Sequence, residues 1–180
     1  MKPFAFVLVL STMILAGSGV LYGQGVIFLV RHADRASSAD DSLLSSAGEQ
    51  RAECLARTLL DAGITKVFAT DVQRTQQTAQ PVSREFHIET TIVAKSRTAE
   101  LISEIKQSDN HPVLVVGHAD TLPAIVEQLG AGTIAKFGDR EYDRLLVIPV
   151  TQAKAGQAIT LRYCSMPSDS ASAQSMRSAR

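Results

Sequence analysis

Four residues in this chain have the types and the placement to hold and attack an anion: Arg31, His32, Arg74 and His118. Arg31-His32 directly follows the apolar run Val26-Ile27-Phe28-Leu29-Val30. A second run, Val113-Leu114-Val115-Val116-Gly117, ends on His118, and a third, Lys66-Val67-Phe68-Ala69-Thr70, opens onto Asp71-Val72-Gln73-Arg74. Arginine forks onto two oxygens of a phosphoryl group, which lysine does not. A protonated His118 adds a third positive charge in this reading. His32, held neutral by donating one ring N–H to a backbone or side-chain acceptor, aims its other nitrogen at phosphorus. Such a set suits transfer of a phosphoryl group to histidine and then to water. It calls for no divalent metal and no cofactor, because the arginines supply the charge. A helix opening near Asp71 adds backbone N–H donors in the same reading.

These residues act together only if the fold brings them to one place. Short apolar runs bounded by turn signals read as buried strands, and open α/β sheets bind ligands at the carboxyl ends of their strands. Strands are expected at 26–30, 66–70, near 88–93, at 113–117, 144–149 and 159–164. Helices are expected between them. The first starts with the box Ser46-x-x-Glu49, buries Ala52, Leu55, Ala56, Leu59 and Leu60, and closes at Gly63. Others run from about Val72 to Gln80, stopped by Pro81, from Thr98 to Gln107, and from Leu122 to Leu129, ended by Gly130. Alternating strands and helices imply a three-layer α/β/α sandwich with a largely parallel sheet. A lone strand-end histidine is usually a capping or core residue, and a lone arginine a surface charge. The conjunction of all four at strand ends is what points to a site.

The composition narrows the class. The chain has 180 residues, 45% hydrophobic and 20% charged, with 18 basic and 18 acidic residues. That suits one domain, and the absence of net charge gives no field favouring nucleic acid or acidic membranes. With no Trp and 5% aromatic residues, base-stacking platforms are not expected. Residues 1–23 carry Lys2 as their only charge, followed by Phe4-Ala5-Phe6-Val7-Leu8-Val9-Leu10 and Met13-Ile14-Leu15-Ala16. This is the pattern of a secretory signal peptide, set against the alternatives of an uncleaved anchor or a first strand. The expected organisation is therefore 1–23 signal peptide, 24–164 catalytic domain and 165–180 a disordered Ser/Ala/Arg-rich tail, in a periplasmic or secreted protein with no stable membrane association after cleavage. Cys54 and Cys164 are the only cysteines. An oxidising compartment permits one disulfide, but two buried free thiols is the plainer reading, since sequence gives no Cα separation.

Leu29-Val30-Arg31-His32-Ala33 resembles the Arg-His-Gly signature of the histidine phosphatase superfamily, also called phosphoglycerate mutase-like. Thr70 to Ala79 resembles its second-arginine motif, and Val115-Val116-Gly117-His118 its second-histidine motif. The resemblance runs from about Val26 to Val150, with Ala33 in place of the usual Gly. It implies His32 as nucleophile, with Arg31, Arg74 and His118 as the phosphate pocket for a small phosphorylated substrate. Many members carry a Glu acid between the second Arg and the second His. Here Glu85, Glu89 and Glu100 lie in that interval without a recognisable motif. Asp120 is the alternative acid, its competing role being to cap the helix at Leu122, while Asp34 is expected to pair with Arg31 or Arg35. The compact size resembles the small bacterial phosphohistidine phosphatases, which lack lid insertions.

The function expected is an exported, metal-independent phosphomonoesterase. The alternatives are a catalytically idle phosphate-binding module on the same fold, or a protein phosphohistidine phosphatase, which would require a cytosolic location. A fusion lacking residues 1–23 is expected to stay in the cytoplasm while the full-length protein leaves it. Recovery of the intact N-terminus on a cytosolic protein would overturn the export reading.

Overall fold

The computed structural model describes residues 24–108, 111–151 and 154–164. Both the expected signal peptide, 1–23, and the expected tail, 165–180, lie outside the described residues. The chain order is β1 (Gln24–Arg31), α1 (Ser46–Thr58), β2 (Lys66–Ala69), α2 (Gln73–Phe86), β3 (Thr90–Ile92), α3 (Thr98–Lys106), β4 (Val113–Gly117), α4 (Leu122–Gln128), β5 (Arg144–Thr151), β6 (Lys154–Ala155) and β7 (Ile159–Arg162). The sheet order is β3-β2-β4-β1-β5-β6, with β7 also on β5. Strands β3, β2, β4 and β1 are parallel, and β5 runs antiparallel to β1.

Alternation along each buried strand divides the core into two layers. Ile27, Leu29, Phe68, Val113, Val115, Leu146 and Ile148 face Leu101, Ile102 and Ile105 of α3 and Leu122, Ile125 and Val126 of α4. Val30, Val67, Leu114, Val116 and Leu145 face Leu55, Ala56 and Leu59 of α1 and Ala79 and Val82 of α2. This is the three-layer α/β/α sandwich. β4 is buried along its whole length because it lies between β2 and β1 with helices on both faces, which explains its unbroken apolar run.

Three local expectations are corrected. The cap of α1 is Ser45, whose hydroxyl accepts from the Gly48 N–H at 3.1 Å, not Ser46. Leu60 lies outside the buried face, at 51% exposure, because α1 ends before it. Pro81 does not stop α2, which continues to Phe86 and turns off at His87 in the left-handed conformation (φ 56°). A proline inside a helix costs about 3 kcal/mol through its missing donor and its clash. Here Thr78, Ala79, Pro81 and Val82 are all buried, so packing of one helical face outweighs that local cost.

The expectation of two free thiols is also corrected. Cys54 on α1 and Cys164, just beyond β7, form a disulfide with a Cα–Cα distance of 6.1 Å. β7 adds to β5, and this pairing carries the end of the domain back over α1.

The register sets the site. Arg31 lies beside Gly117, Val30 beside Leu145 and Ala69 beside Val116. The carboxyl ends of β1, β2 and β4 therefore meet the amino end of the reversed strand β5. The segment leaving β1 is pressed against α1: a Cβ on Gly48 would stand 2.1 Å from the Asp34 carbonyl oxygen. Gly48→Ala is expected to lower unfolding stability by about 1–3 kcal/mol, as overpacked sites do. The check is the urea midpoint, and an unchanged midpoint would mean that the contact yields freely.

Candidate active site

His32 begins the turn out of β1 and is 4% exposed. Its backbone N–H donates to the Gly117 carbonyl at 2.9 Å, tying it to β4. The ring Nδ1 lies 2.8 Å from the Ala33 carbonyl oxygen, so Nδ1 carries the proton and donates. That leaves Nε2 with its lone pair free of a proton. Burial, and the positive charges of Arg74 and Arg31, push the pKa down to about 3 despite the Ala33 bond, which acts the other way. His32 is thus a neutral base at ordinary pH. Ala33 is fully buried, and its N–H donates to the Thr78 hydroxyl at 2.9 Å.

Each arginine is anchored through one end of its guanidinium. Arg31 Nη1 donates to the carbonyls of Gly138 (2.9 Å), Asp139 (3.1 Å) and Glu141 (3.3 Å). Its Cζ also stacks 4.2 Å from the centroid of the Tyr142 ring. Arg74 Nη1 donates to the Asp40 carbonyl. In both residues the buried Nε has no partner among the described residues. Nε and Nη2 form one edge of a guanidinium, the edge that forks onto a tetrahedral anion. Backbone carbonyls carry no net charge, so they hold each cation without neutralising it.

His118 follows β4, and its ring centroid is 5.5 Å from that of His32. Its Nε2 lies 2.9 Å from the Thr70 hydroxyl, which in turn meets the Thr75 hydroxyl at 2.8 Å. Burial, Lys95 and Arg74 lower its pKa to about 4, against a smaller opposing effect of Asp120. The ring is therefore neutral while the pocket holds no anion, because burial and the nearby cations outweigh Asp120. A dianion in the pocket would favour its protonation.

The structure brings Arg31, His32, Arg74 and His118 together and leaves Asp120 at the periphery. The Asp120 side chain is 64% exposed and paired with the Lys95 ammonium at 2.8 Å. Partial burial raises its pKa, but the hydrogen bond and charge of Lys95 outweigh this, so the net shift is downward. Asp120 is a carboxylate with no proton to give. It does not cap α4 either, since Thr121 occupies that position. Glu85 and Glu89 are exposed, and Glu100 pairs with Arg97 on α3. The expected partners of Asp34 are corrected as well: it pairs with Arg51 at 2.6 Å, not with Arg31 or Arg35. The first N–H of α2, from Gln73, faces Asp41 Oδ1 at 3.4 Å, so that donor already has an anionic neighbour.

Tyr142 is the residue that sequence reasoning missed, with its ring 5.8 Å from the His32 ring. The available signal was its place two residues before the run 144–149. It reaches the rim because β5 is antiparallel and starts where the others end. The loop bearing Tyr142 is fixed by Glu141 and Arg144, paired at 2.5 Å. Arg144 Nη1 also donates to the Ala135 carbonyl at 2.6 Å. Desolvation raises the Glu141 pKa, but bonds from Arg144, the Gly138 N–H and Arg162 outweigh it and hold the value at about 2.

Sequence and structure comparisons show what the chain and its fold are similar to. The sequence model of the histidine phosphatase superfamily (branch 1) matches residues 27–95. No curated protein sequence matches the chain. Among solved structures, a mycobacterial hydrolase (hydrolase 2) superposes with a TM-score of 0.64 at 12% identity, over 86% of this chain and 97% of its own. The protein histidine phosphatase SixA, complexed with tungstate, gives 0.62 at 17% identity over 78% and 96%. A mycobacterial glucosyl-3-phosphoglycerate phosphatase gives 0.58 at 12% identity over 78% and 98%. The fold is that of phosphoglycerate mutase-like histidine phosphatases.

The two depressed histidines make stability depend on pH. Each binds a proton in the unfolded chain near pH 6.5 that the folded site refuses until about 3 or 4. Stability is therefore full above pH 6.5 and falls as pH drops below it, by up to about 1.4 kcal/mol per pH unit per histidine. Glu141, whose pKa is lowered from 4.5 to about 2, adds its loss only below 4.5. Urea titrations between pH 7 and 4.5 are expected to show the slope, and His32→Asn to flatten it. An unchanged slope in His32→Asn would mean that the ring is protonated in the native site.

Proposed function

Given a chain whose residues 27–95 match the histidine phosphatase superfamily and whose fold is shared with solved histidine phosphatases, we propose an exported, metal-independent phosphatase that hydrolyses phosphate monoesters through a phosphohistidine on His32. One observation carries the proposal. Two buried arginines, each anchored by Nη1 to backbone carbonyls, keep unpartnered Nε donors beside a neutral histidine. A binding module has no need of a histidine held in the tautomer that exposes a lone pair.

In this mechanism the free edges of Arg31 and Arg74 take the phosphoryl oxygens. His118, protonated as the dianion enters, donates to a further oxygen. His32 Nε2 attacks phosphorus and the bond to the leaving oxygen breaks. The Nδ1–H bond to Ala33 stabilises the positive charge that develops on the ring. Water then attacks the phosphohistidine, releasing inorganic phosphate and restoring neutral His32.

The leaving oxygen departs as an anion unless a proton reaches it. With Asp120 held as a carboxylate by Lys95, no carboxylic acid among the described residues is poised to protonate the leaving oxygen, so substrates with good leaving groups are favoured. Positioned acids contribute on the order of 10²–10⁴-fold. Export is supported by the leader-like residues 1–23 and by the Cys54–Cys164 disulfide, which persists in oxidising compartments.

His32→Ala is expected to abolish turnover while the protein stays folded, and the wild type to yield acid-labile protein-bound phosphate after rapid quench. Substantial activity in His32→Ala would end the proposal. Arg31→Lys and Arg74→Lys, which keep charge and lose the fork, are each expected to cost about 2–4 kcal/mol in kcat/KM. Turnover of p-nitrophenyl phosphate is expected to exceed that of glycerol phosphate by roughly 10² or more. Asp120→Asn is expected to change both rates alike. A selective loss on glycerol phosphate in that variant would restore Asp120 as the acid.

A further inference from the structure

A buried polar cluster lies behind the site, between the loop leaving β1 and the end of the domain. Arg51, on α1, is 7% exposed and sits at its centre. Its Nε donates to Asp34 Oδ2 at 2.6 Å, and its Nη1 donates to the Cys164 carbonyl oxygen at 2.8 Å. Tyr163 packs beside them with its hydroxyl buried and without a hydrogen-bond partner among the described residues, and feels the charges of Arg51 and Asp34. None of these residues has a place in the mechanism above.

Asp34 stands two residues after His32, and its carbonyl receives the Ser45 N–H at 2.9 Å and the Ser45 hydroxyl at 3.2 Å. It therefore closes the loop 34–45. That loop carries the Asp40 carbonyl, the anchor of Arg74. One end of the Arg51 contact thus governs where His32 leaves β1 and where Arg74 is held. The other end rests on Cys164, a non-glycine residue in the left-handed region (φ 50°). Such a conformation persists only where its surroundings impose it, and the bond to Cys54 is the covalent part of those surroundings. Both cysteines are half-buried and line a cavity of about 780 Å³ between α1 and α2, which gives a small thiol a way in.

We infer that Arg51 is a positioning residue for the phosphate site and that the Cys54–Cys164 disulfide sets its grip. Reduction by a dithiol transfers two electrons and two protons: the S–S bond breaks, two thiols form, and the dithiol is oxidised to its own disulfide. Cys164 then relaxes from its left-handed conformation, its carbonyl leaves Arg51, and the Asp34 loop loosens. His32 and Arg74 lose their alignment while the sheet and its two apolar layers stay intact. The inference rests on the proposed phosphatase reading for its activity readout, so the test includes a second readout.

The test compares full-length wild type, oxidised and dithiothreitol-reduced, with Cys54→Ser/Cys164→Ser and Arg51→Met, at a temperature where circular dichroism shows all of them folded. Reduction and the double serine variant are each expected to lower kcat/KM for p-nitrophenyl phosphate by about tenfold to a hundredfold, the scale of a small misplacement of reacting groups. Arg51→Met is expected to show a similar loss and to be insensitive to dithiothreitol, since both changes act through one contact. If reduction lowers the melting temperature and leaves kcat/KM unchanged, the disulfide is a plain staple and the inference fails. A full further loss on reducing Arg51→Met would equally remove Arg51 from the path. If the oxidised wild type hydrolyses nothing, the phosphatase reading fails separately. Orthovanadate affinity then reads the same geometry, and it is expected to weaken about tenfold on reduction. An unchanged affinity would overturn the inference.

Discussion

Everything at this rim depends on holding two guanidinium groups in a buried place without neutralising them. A buried cation ordinarily takes a carboxylate partner, and the pair then has little attraction left for an anion. Arg31 and Arg74 are instead held by carbonyl oxygens of Gly138, Asp139, Glu141 and Asp40. These dipoles fix direction and leave the charge in place. Three acidic side chains nearby have other cations: Asp34 has Arg51, Glu141 has Arg144 and Arg162, and Asp120 has Lys95.

The same positive field accounts for the state of both histidines. Each is buried, and each is faced by arginines, so neither binds a proton near neutral pH. For His32 that is the state its proposed role as nucleophile needs, and the bond to Ala33 decides which nitrogen is free. For His118 it makes charge conditional on what occupies the pocket. An anion thus completes an electrostatic balance that the protein alone leaves positive.

The supports of this site are long-range. The segments 34–45 and 138–143 carry the anchoring carbonyls, and neither is a regular element. Each is secured by an ion pair to a buried arginine, Arg51 on α1 or Arg144 at the start of β5. Both arginines also donate to backbone carbonyls, Cys164 for the one and Ala135 for the other. Irregular backbone is thereby given the rigidity that strands give to His32 and His118.

Local patterning was enough to place four candidate residues at one rim. The runs 26–30, 66–70 and 113–117 are buried strands because they are apolar and bounded, and a residue just past such a run must lie at the sheet edge. Arg31, His32 and His118 followed from that rule, and Arg74 from the turn that leads out of the run 66–70. Tertiary structure decided what local patterning does not encode. A continuous apolar run reads the same in either direction, so the reversal of β5 was invisible, and with it the arrival of Tyr142 and the 138–141 carbonyls. Cys54 pairs with Cys164, and Arg51 with Asp34, because β7 adds to β5 beside α1. Pro81 stays inside α2 because the face it shares is buried. Asp120 has the right sequence distance from His118, but Lys95 reaches it from the other side of the rim. In each case the deciding contact joins segments whose proximity is a property of the assembled sheet, and no window of neighbouring residues carries it.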